Sequence, residues 1–527
     1  MRPFDKFWMT DARRTAFATA LVLISSSLTL SPLHAEPTDD EKKALHAAEQ
    51  SYKDGAFDLC NDRVAALLKK YPKSELTAAA ELLQAQALYQ LGRSDAALAA
   101  LNLPPDQVPE NLRADTLFWQ AEALLDLEKW PDAEQKYRAL LALKDPADHA
   151  DAANLGLSWA LFKQGKEADA LGLIQGLIQV RAKSPVGRQA QLLLAKIELS
   201  KNQVKEAIAG LSTLLATKPE TALAYETNYW LGEAYVANAQ PTEAIAAYQA
   251  ITNDPKAFPK RLVAEAWLGL GRAEHAVHQN DQAMLAYEQT YRLTENETTR
   301  LDAFRAYLES ARSSGQLPEA VAKLQEFAKT SDVSAPAALF AIGSVLALDR
   351  SDDKAIGILE SLLVAYGTSP WVPDANYQLG QLYARTGKPD QAVKALQSCI
   401  SASANPELVR SARFQLGYVL LKQTKDYAGA AAQFAQISDG TDAAAENAAY
   451  NFLLAEAYLG KLDVFQKAEA DFAKHFPKSA HLKAVALAEG QLLTDAQKTD
   501  DAKAAYQRGL ALSGTDSDQM ALLKALA

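Results

Sequence analysis

One pattern recurs along almost the whole chain: a small residue is followed four positions later by a bulky apolar residue. Successive small residues lie 34 to 39 positions apart. A period of this length, kept through so many steps, is typical of proteins that stack one supersecondary unit many times. The small/bulky pairs are Cys60/Val64, Ala97/Leu101, Ala133/Tyr137, Ala170/Ile174, Ala207/Leu211, Ala244/Tyr248, Ala283/Tyr287, Ala320/Leu324, Ala355/Leu359, Ala392/Leu396, Ala430/Phe434, Ala468/Phe472 and Ala502/Tyr506.

Each repeat is predicted to be a pair of helices. In most repeats another apolar residue follows three positions after the bulky one, as Leu140 follows Tyr137, and residues spaced i, i+4 and i+7 share one helical face. A further small residue twelve positions earlier, such as Gly232 before Ala244, indicates the first helix of the pair. A single helix pair cannot bury its apolar face alone, so neighbouring pairs must stack. We therefore expect an all-α, right-handed superhelical solenoid of about thirteen helix pairs.

Glycine and proline mark the predicted ends of these helices. Gly92, Gly165 and Gly387 fall where the two helices of a pair should be joined by a turn. Proline suits the first turn of a helix, because the backbone N–H that it lacks has no partner there. The prolines predicted to begin second helices are Pro131, Pro241, Pro318 and Pro389.

Two of the repeats carry a family resemblance. The stretch Leu231–Tyr235 with Ala244 and Tyr248, and the stretch Leu379–Tyr383 with Ala392, resemble tetratricopeptide repeats. The resemblance covers roughly residues 40–515 and implies one repeat domain over residues 36–515, closed by a capping helix at 516–527. The connectors Tyr-Pro-Lys-Ser and Phe-Pro-Lys-Ser (residues 71–74 and 476–479) are similar to those of periplasmic repeat proteins that serve outer-membrane assembly and Tol-Pal constriction.

The eighth repeat departs from the pattern. Leu308 fills the position where its first helix should carry a small residue, and the polar stretch Leu293–Glu297 precedes that helix. We predict that this repeat is a flexible joint.

The first 35 residues are predicted to be a secretory signal. Arg13 and Arg14 precede the uncharged stretch Thr15–Leu30, and Ala35 ends the segment with a small residue that suits cleavage. The alternative is an uncleaved membrane anchor, although sixteen residues are short for a span. The rest of the chain has no other apolar segment of that kind, so no integral span is expected after cleavage.

Composition and single residues argue against several function classes. A net charge of −11 repels phosphate backbones, so nucleic-acid binding is not expected. Cys60 and Cys399 occupy packing positions nine repeats apart and should not form a disulfide. His275 and His278 lie one turn apart without a third ligand to complete a metal site. With no phosphate-binding loop or nucleophile motif either, we expect no metal, no cofactor and no enzymatic activity.

The resemblance supplies candidates for partner binding. In tetratricopeptide repeats, peptide ligands usually contact fixed positions on the first helices, which line the concave face of the solenoid. Aromatic rings and forked guanidinium donors at such positions suit a peptide or a partner helix. The residues that these positions select are Phe118, Trp159, Phe162, Tyr229, Arg272, Tyr377, Arg385 and Phe414.

We therefore expect an exported, non-catalytic scaffold that binds envelope proteins or peptides in the periplasm. Two alternatives stay open. The aromatic faces also suit sugars, which favours a module that handles peptidoglycan or an exported polysaccharide. An uncleaved N-terminus would instead make the chain a membrane-anchored regulatory subunit.

Overall fold

The computed structural model describes residues 37–101, 108–255, 260–331, 333–512 and 516–526. These residues form mainly α-helices, with short 3-10 segments at Glu110–Leu112 and Ala147–His149 and a π-helical turn at Leu420–Thr424, and they contain no β-strand. Two compact units divide the chain, the first ending at His278 and the second beginning at Gln279. The predicted signal segment and residues 513–515 lie outside the described residues.

The first unit contains thirteen α-helices within the described residues, and odd numbers denote the first helix of each pair. They are α1 (Asp39–Lys53), α2 (Phe57–Lys70), α3 (Thr77–Gln90), α4 (Ser94–Ala100), α5 (Arg113–Asp126), α6 (Trp130–Leu141), α7 (Ala150–Lys163), α8 (Glu167–Arg181), α9 (Pro185–Ser200), α10 (Val204–Ala216), α11 (Thr221–Ala237), α12 (Pro241–Thr252) and α13 (Lys260–Ala276).

The second unit continues the alternation and ends with a single helix. Its helices are α14 (Asn280–Leu293), α15 (Glu297–Ser313), α16 (Leu317–Lys329), α17 (Ala335–Leu348), α18 (Asp352–Ala365), α19 (Val372–Arg385), α20 (Pro389–Ala402), α21 (Pro406–Val419), α22 (Tyr427–Ala435), α23 (Ala443–Tyr458), α24 (Leu462–His475), α25 (Leu482–Asp495), α26 (Thr499–Leu510) and α27 (Asp516–Leu526). The thirteen helix pairs and the final helix confirm the predicted all-α repeat solenoid.

A single left-handed residue closes the turn inside every pair. Glycine is the residue that tolerates this conformation best, yet seven of these turns use another residue. In each pair this left-handed residue lies five positions before a buried residue of the second helix, which we call the close-packing position. The left-handed residues are Gly55, Gly92, Glu128, Gly165, Asn202, Ala239, His278, Gly315, Arg350, Gly387, Lys425, Gly460 and Gln497.

The small positions of the first helices exist because bulky residues of the second helices press against them. A Cβ atom at Gly380 of α19 would lie 2.5 Å from Cγ of Leu396 on α20. At Gly417 of α21 it would lie 2.8 Å from the ring of Phe434 on α22. Real Cβ contacts do not reach such distances, so this register holds only with glycine or a slight helix displacement.

The predicted register is wrong in the twelfth pair. Five residues after the left-handed Gly460 comes Phe465, which is fully buried, whereas the predicted Ala468 is only half-buried. The apolar spacing of α24 misled the prediction, because Phe465 and Phe472 are themselves seven residues apart and mark the buried face. The residue four positions after Phe465, where other second helices carry a bulky apolar side chain, is therefore Glu469. Twelve positions before Phe465, where most first helices carry a small residue, α23 has Leu453.

In the eighth pair the large Leu308 is accommodated in the core. Its side chain is fully buried within α15, and so is that of Phe304 one turn earlier. The ring of Phe304 lies 4.9 Å from that of Tyr291 and 5.6 Å from that of Phe327, measured between centroids. Whether the repeat is a flexible joint stays a prediction.

The final helix α27 packs its Leu522 side chain, fully buried, against the thirteenth pair. A Cβ atom at Gly509 of α26 would lie 2.9 Å from Cδ1 of Leu522, so the two helices approach closely. Met520 and Leu523 on the opposite side are exposed.

Candidate partner-binding face

Four of the predicted binding residues are buried between helices, and Phe118 on α5 shows why. Its ring is 1% exposed and stacks on the imidazole of His149, with centroids 4.3 Å apart. The Nε2 atom of His149 lies 2.7 Å from Oδ1 of Asp115, which fixes the orientation of the imidazole. Phe118 therefore fills space between neighbouring repeats and presents no surface to a ligand.

Trp159 belongs to a buried cluster contributed by three successive first helices. The Nζ atom of Lys196 on α9 lies 5.1 Å from the ring centroid of Trp159 on α7 and 4.9 Å from that of Trp230 on α11. The same Nζ lies 2.5 Å from Oε1 of Glu226. An ammonium between two indole rings and one carboxylate is held by cation–π and ionic attraction. Trp159, itself 8% exposed, thus contacts a cation of its own chain.

The remaining first-unit candidates divide between core and surface. Phe162 and Tyr229 are buried. The ring of Tyr229 packs edge-on to Tyr248, whose hydroxyl donates a 2.7 Å hydrogen bond to Oε1 of Glu233. Burial, and then the Glu233 charge, raise the pKa of Tyr248 well above its usual value. Arg272 on α13 is exposed, which leaves it as the one charged candidate of this unit with solvent-facing surface.

In the second unit Arg385 is exposed, but it already has partners within the chain. Its Nε donates a 2.8 Å hydrogen bond to Oδ2 of Asp352, and its Nη2 donates a 3.1 Å hydrogen bond to the carbonyl oxygen of Ala347. Asp352 begins α18, so the guanidinium links the tenth pair to the ninth. Arg385 would have to give up these bonds to bind an anionic partner.

Tyr377 and Phe414 occupy equivalent positions on α19 and α21, three residues before Gly380 and Gly417, and both are half-buried. Burial raises the pKa of the Tyr377 hydroxyl. The equivalent residue of α23 is Tyr450, also half-buried, whose ring stacks on His481 with centroids 4.1 Å apart.

Sequence reasoning missed two exposed tyrosines beside these rings. Tyr418 follows Phe414 by one helical turn and is 43% exposed. Tyr458, at the end of α23, is 58% exposed and stacks on Tyr427 at a centroid distance of 4.8 Å. The exposure of Tyr418 could have been predicted from the sequence. Tyr418 comes one position after the small Gly417, which faces the second helix, so its own side chain points away from that helix. We call Tyr377, Phe414, Tyr418, Tyr450 and Tyr458 the aromatic strip.

The described residues offer little for metal or thiol chemistry. They contain no group of three or more His, Cys, Asp and Glu side chains arranged to hold a metal ion. Cys60 and Cys399 are free, buried thiols, as the packing prediction required. Burial raises the pKa of each thiol to about 11, so both stay protonated and poorly reactive at neutral pH. Within the same described ranges, no helix combines the length and the hydropathy needed to cross a membrane.

Comparison with known families agrees with the geometry of the helix pairs. A tetratricopeptide repeat family model matches residues 119–185, 192–258, 305–370 and 377–444, just over half of the chain. The chain belongs to the tetratricopeptide repeat family. Repeats of this family generally mediate protein–protein interaction, and the family is typically non-catalytic. In this tetratricopeptide repeat protein, the third to sixth and the eighth to eleventh pairs fall largely within the matched segments, and the seventh pair lies between two of them.

Several solved structures are similar, at low identity. A tetratricopeptide repeat protein from Parabacteroides merdae ATCC 43184 is 14% identical, with a TM-score of 0.41; the match covers 51% of this chain and 100% of that one. The tetratricopeptide repeat domain of P58(IPK) is 14% identical with a TM-score of 0.28, over 80% and 98% of the two chains. A chain of the APC/C hetero-tetramer Cut9-Hcn1 is 14% identical with a TM-score of 0.37, over 93% and 97%. No curated protein sequence matches this chain.

Proposed function

We propose that this chain is a non-catalytic scaffold that binds a protein partner through the aromatic strip. The observation that supports the proposal is the exposure of Tyr418 and Tyr458 on neighbouring first helices, next to the half-buried rings of Tyr377, Phe414 and Tyr450. Most aromatic residues at first-helix positions of the first unit are buried, so the strip is where this chain offers rings to a ligand.

The chemistry of the strip favours an apolar peptide or the apolar face of a helix. None of its five members carries a charge, and Arg385 at the end of α19 is paired with Asp352. Tyrosine is well suited to such a contact, because a large, stiff ring loses little conformational entropy on binding and its hydroxyl stays able to donate a hydrogen bond.

The cellular setting is part of the proposal. The basic pair Arg13–Arg14, the uncharged stretch up to Leu30 and the small Ala35 favour export, and we propose that the mature chain acts in the periplasm on envelope proteins. Mass spectrometry of the mature N-terminus tests this: an end at Glu36 supports export with cleavage, and an intact N-terminus favours the membrane-anchored regulatory subunit.

Site-specific photo-crosslinking in cells tests the binding face. A photoreactive residue at position 418 or 458 should yield a discrete protein adduct that mass spectrometry identifies. The matched control is position 364, because Val364 on the second helix α18 is even more exposed. Equal adducts at all three positions, or none at 418 and 458, would contradict the proposal.

The identified partner is then purified and its affinity measured. Tyr418→Ala with Tyr458→Ala should weaken binding by roughly tenfold or more, since buried aromatic anchors contribute most of the binding energy in many interfaces. Both side chains are exposed in the free protein, so the double variant should keep its fold. Unchanged affinity would show that the partner binds elsewhere.

A neutral polysaccharide is the second candidate ligand. It is favoured by the flat, exposed ring of Tyr458, backed by Tyr427 at an interplanar angle of 18°. A pull-down with envelope polysaccharide distinguishes the two: retention that the same tyrosine variants abolish supports the sugar, and no retention removes it.

A further inference from the structure

The column of bulky apolar residues on the second helices has one exception. In twelve of the thirteen pairs, the residue four positions after the close-packing position is apolar or aromatic, as Leu396 follows Ala392 on α20. In the twelfth pair this residue is Glu469 on α24. A carboxyl group therefore occupies a position that the repeat otherwise reserves for the core.

A second carboxyl group lies beside it on the next helix. Glu489 on α25 has a side chain only 6% exposed, and that of Glu469 is 20% exposed. The two carboxyl groups meet at one nitrogen atom, since Nη2 of Arg508 contacts Oε2 of Glu489 and lies 4.0 Å from Oε1 of Glu469. Two carboxylates this close repel each other strongly, so ionisation of Glu469 beside Glu489 is unfavourable.

The surrounding groups compensate for only one negative charge. Gln466 Nε2 donates a 3.1 Å hydrogen bond to Oε1 of Glu489. The guanidinium of Arg508 on α26 contacts Oε2 of Glu489 and lies 4.0 Å from Oε1 of Glu469, but the Arg508 side chain is 55% exposed.

On the preceding helix α23, Glu456 faces Lys461 at 3.6 Å, and this pair adds no net charge to the cluster. The pKa of Glu469 reflects the balance: burial first and Glu489 second raise it to about 7, and Arg508 opposes the rise.

We propose that this cluster makes the joint between the twelfth and thirteenth helix pairs proton-dependent, tightly packed when the Glu469 carboxyl group is protonated and opening locally when it is ionised. In the protonated form the Glu469 hydroxyl donates to Glu489, which also accepts from Gln466 and Arg508, so the buried groups are satisfied. When the proton leaves, two carboxylates share one half-exposed guanidinium, and separating α24 from α25 lets water solvate both.

The pH range in which the joint opens follows from the direction of the pKa shift of Glu469. The pKa of Glu469 is raised in the packed state from its ordinary value of 4.5. Its contribution to packing is therefore complete below pH 4.5 and is lost as the pH rises through about 7. Opening would expose apolar residues that pack at this joint, among them Leu487 and Leu492.

Hydrogen–deuterium exchange of the full chain, read by mass spectrometry, tests this. Exchange of peptides from residues 482–510 is followed at several pH values between 5 and 8, corrected for the pH dependence of intrinsic exchange. Peptides from α19 and α20 in the same molecule are the internal reference. We expect the opening of residues 482–510 relative to that reference to increase by roughly tenfold or more between pH 5 and pH 8. If the exchange of residues 482–510 relative to that of α19 and α20 does not change with pH, the proposal is overturned.

Variants identify the group responsible. The glutamine of Glu469→Gln cannot ionise and still offers an N–H to Glu489. Residues 482–510 of this variant should therefore be as well protected from hydrogen exchange at pH 8 as at pH 5. Glu469→Leu restores the apolar residue of the column and should have the same effect, which covers the case in which glutamine packs poorly. Glu326→Gln, in an exposed pair with Lys329, is the control and should keep the wild-type pH dependence. If both Glu469 variants keep it as well, the proposal is overturned.

Discussion

The ring of Tyr248 lies directly against Gly269, on the first helix of the next repeat. A Cβ atom at position 269 would lie 2.5 Å from Cζ of Tyr248, and one at Gly232 of its own pair would lie 2.6 Å from the same atom. The tyrosine is fully buried and fills the space between two first helices. Repeat stacking at this point therefore depends on the absence of a side chain.

Gly269→Ala should destabilise the first unit by about 1–3 kcal/mol, because the added methyl group can be accommodated only if the helices move apart. Urea unfolding followed by tryptophan fluorescence measures the change. This probe reports mainly on the first unit, which holds Trp119, Trp130, Trp159, Trp230 and Trp267, whereas the described part of the second unit contributes Trp371 alone.

The matched control is Gly176→Ala in the middle of α8. A Cβ atom there would meet nothing within 4 Å. Alanine should stabilise that helix by about 0.5–1 kcal/mol, since it loses less conformational entropy than glycine on folding. Equal effects of the two substitutions would show that the contact with Tyr248 does not limit the stacking.

The turn residue Ala239 is predicted to carry avoidable strain. It has φ = 56° and is exposed, and an alanine side chain has no polar group to compensate for the left-handed conformation. Ala239→Gly should stabilise the first unit by about 0.5–1 kcal/mol in the same urea measurement. Ala237→Gly, two residues earlier in helix α11 and also exposed, should destabilise it by about 1 kcal/mol. If both variants are less stable than the wild type, Ala239 does not carry the predicted backbone strain.

The buried pair Lys196–Glu226 should behave as one unit. Lys196→Met leaves the buried Glu226 side chain without its ammonium partner and should cost about 3–5 kcal/mol. Adding Glu226→Leu removes the isolated charge and should recover much of that loss. A double-mutant cycle from urea unfolding measures the coupling. Additive effects would mean that the two groups do not depend on each other. The exposed pair Arg181–Asp151, with 2.7 Å between its atoms, is the control and should show a coupling below about 1 kcal/mol.

The positions of the repeats could be predicted from the sequence wherever a small residue marks the close contact between helices. Gly232 and Gly380 are small because Tyr248 and Leu396 of the second helices occupy the space, and the same contact recurs at a fixed period. The twelfth pair breaks that rule with Phe465, and an apolar spacing of seven residues fits two registers, so the sequence favoured the wrong one.

The candidate site was less predictable, because its exposure depends on what the neighbouring repeat supplies. Trp159 is covered by Lys196, and Phe118 is covered by His149, 31 positions later. Neither partner is implied by the position of the ring within its own helix. Tyr418 remains exposed for the same reason, since no residue of the adjoining repeats covers most of its ring.

Glu274 on α13 gives the first unit a pH dependence of its own. The side chain is buried, and among the described residues its Oε2 has no hydrogen-bond partner. Burial raises its pKa from the ordinary 4.5 to about 7. Because the pKa is higher in the folded state, the stabilisation is complete below pH 4.5 and is lost as the pH rises through 7.

Glu274→Gln removes the titrating group and keeps the size of the side chain. At pH 8 the variant should be more stable than the wild type by about 1–3 kcal/mol, and the difference should shrink towards pH 4.5. Urea unfolding by tryptophan fluorescence at pH 5, 6.5 and 8 measures both proteins. The exposed Glu326→Gln variant should match the wild type at every pH. A Glu274→Gln variant whose stability stays parallel to that of the wild type from pH 5 to pH 8 would show that the carboxyl group already reaches water in the folded protein.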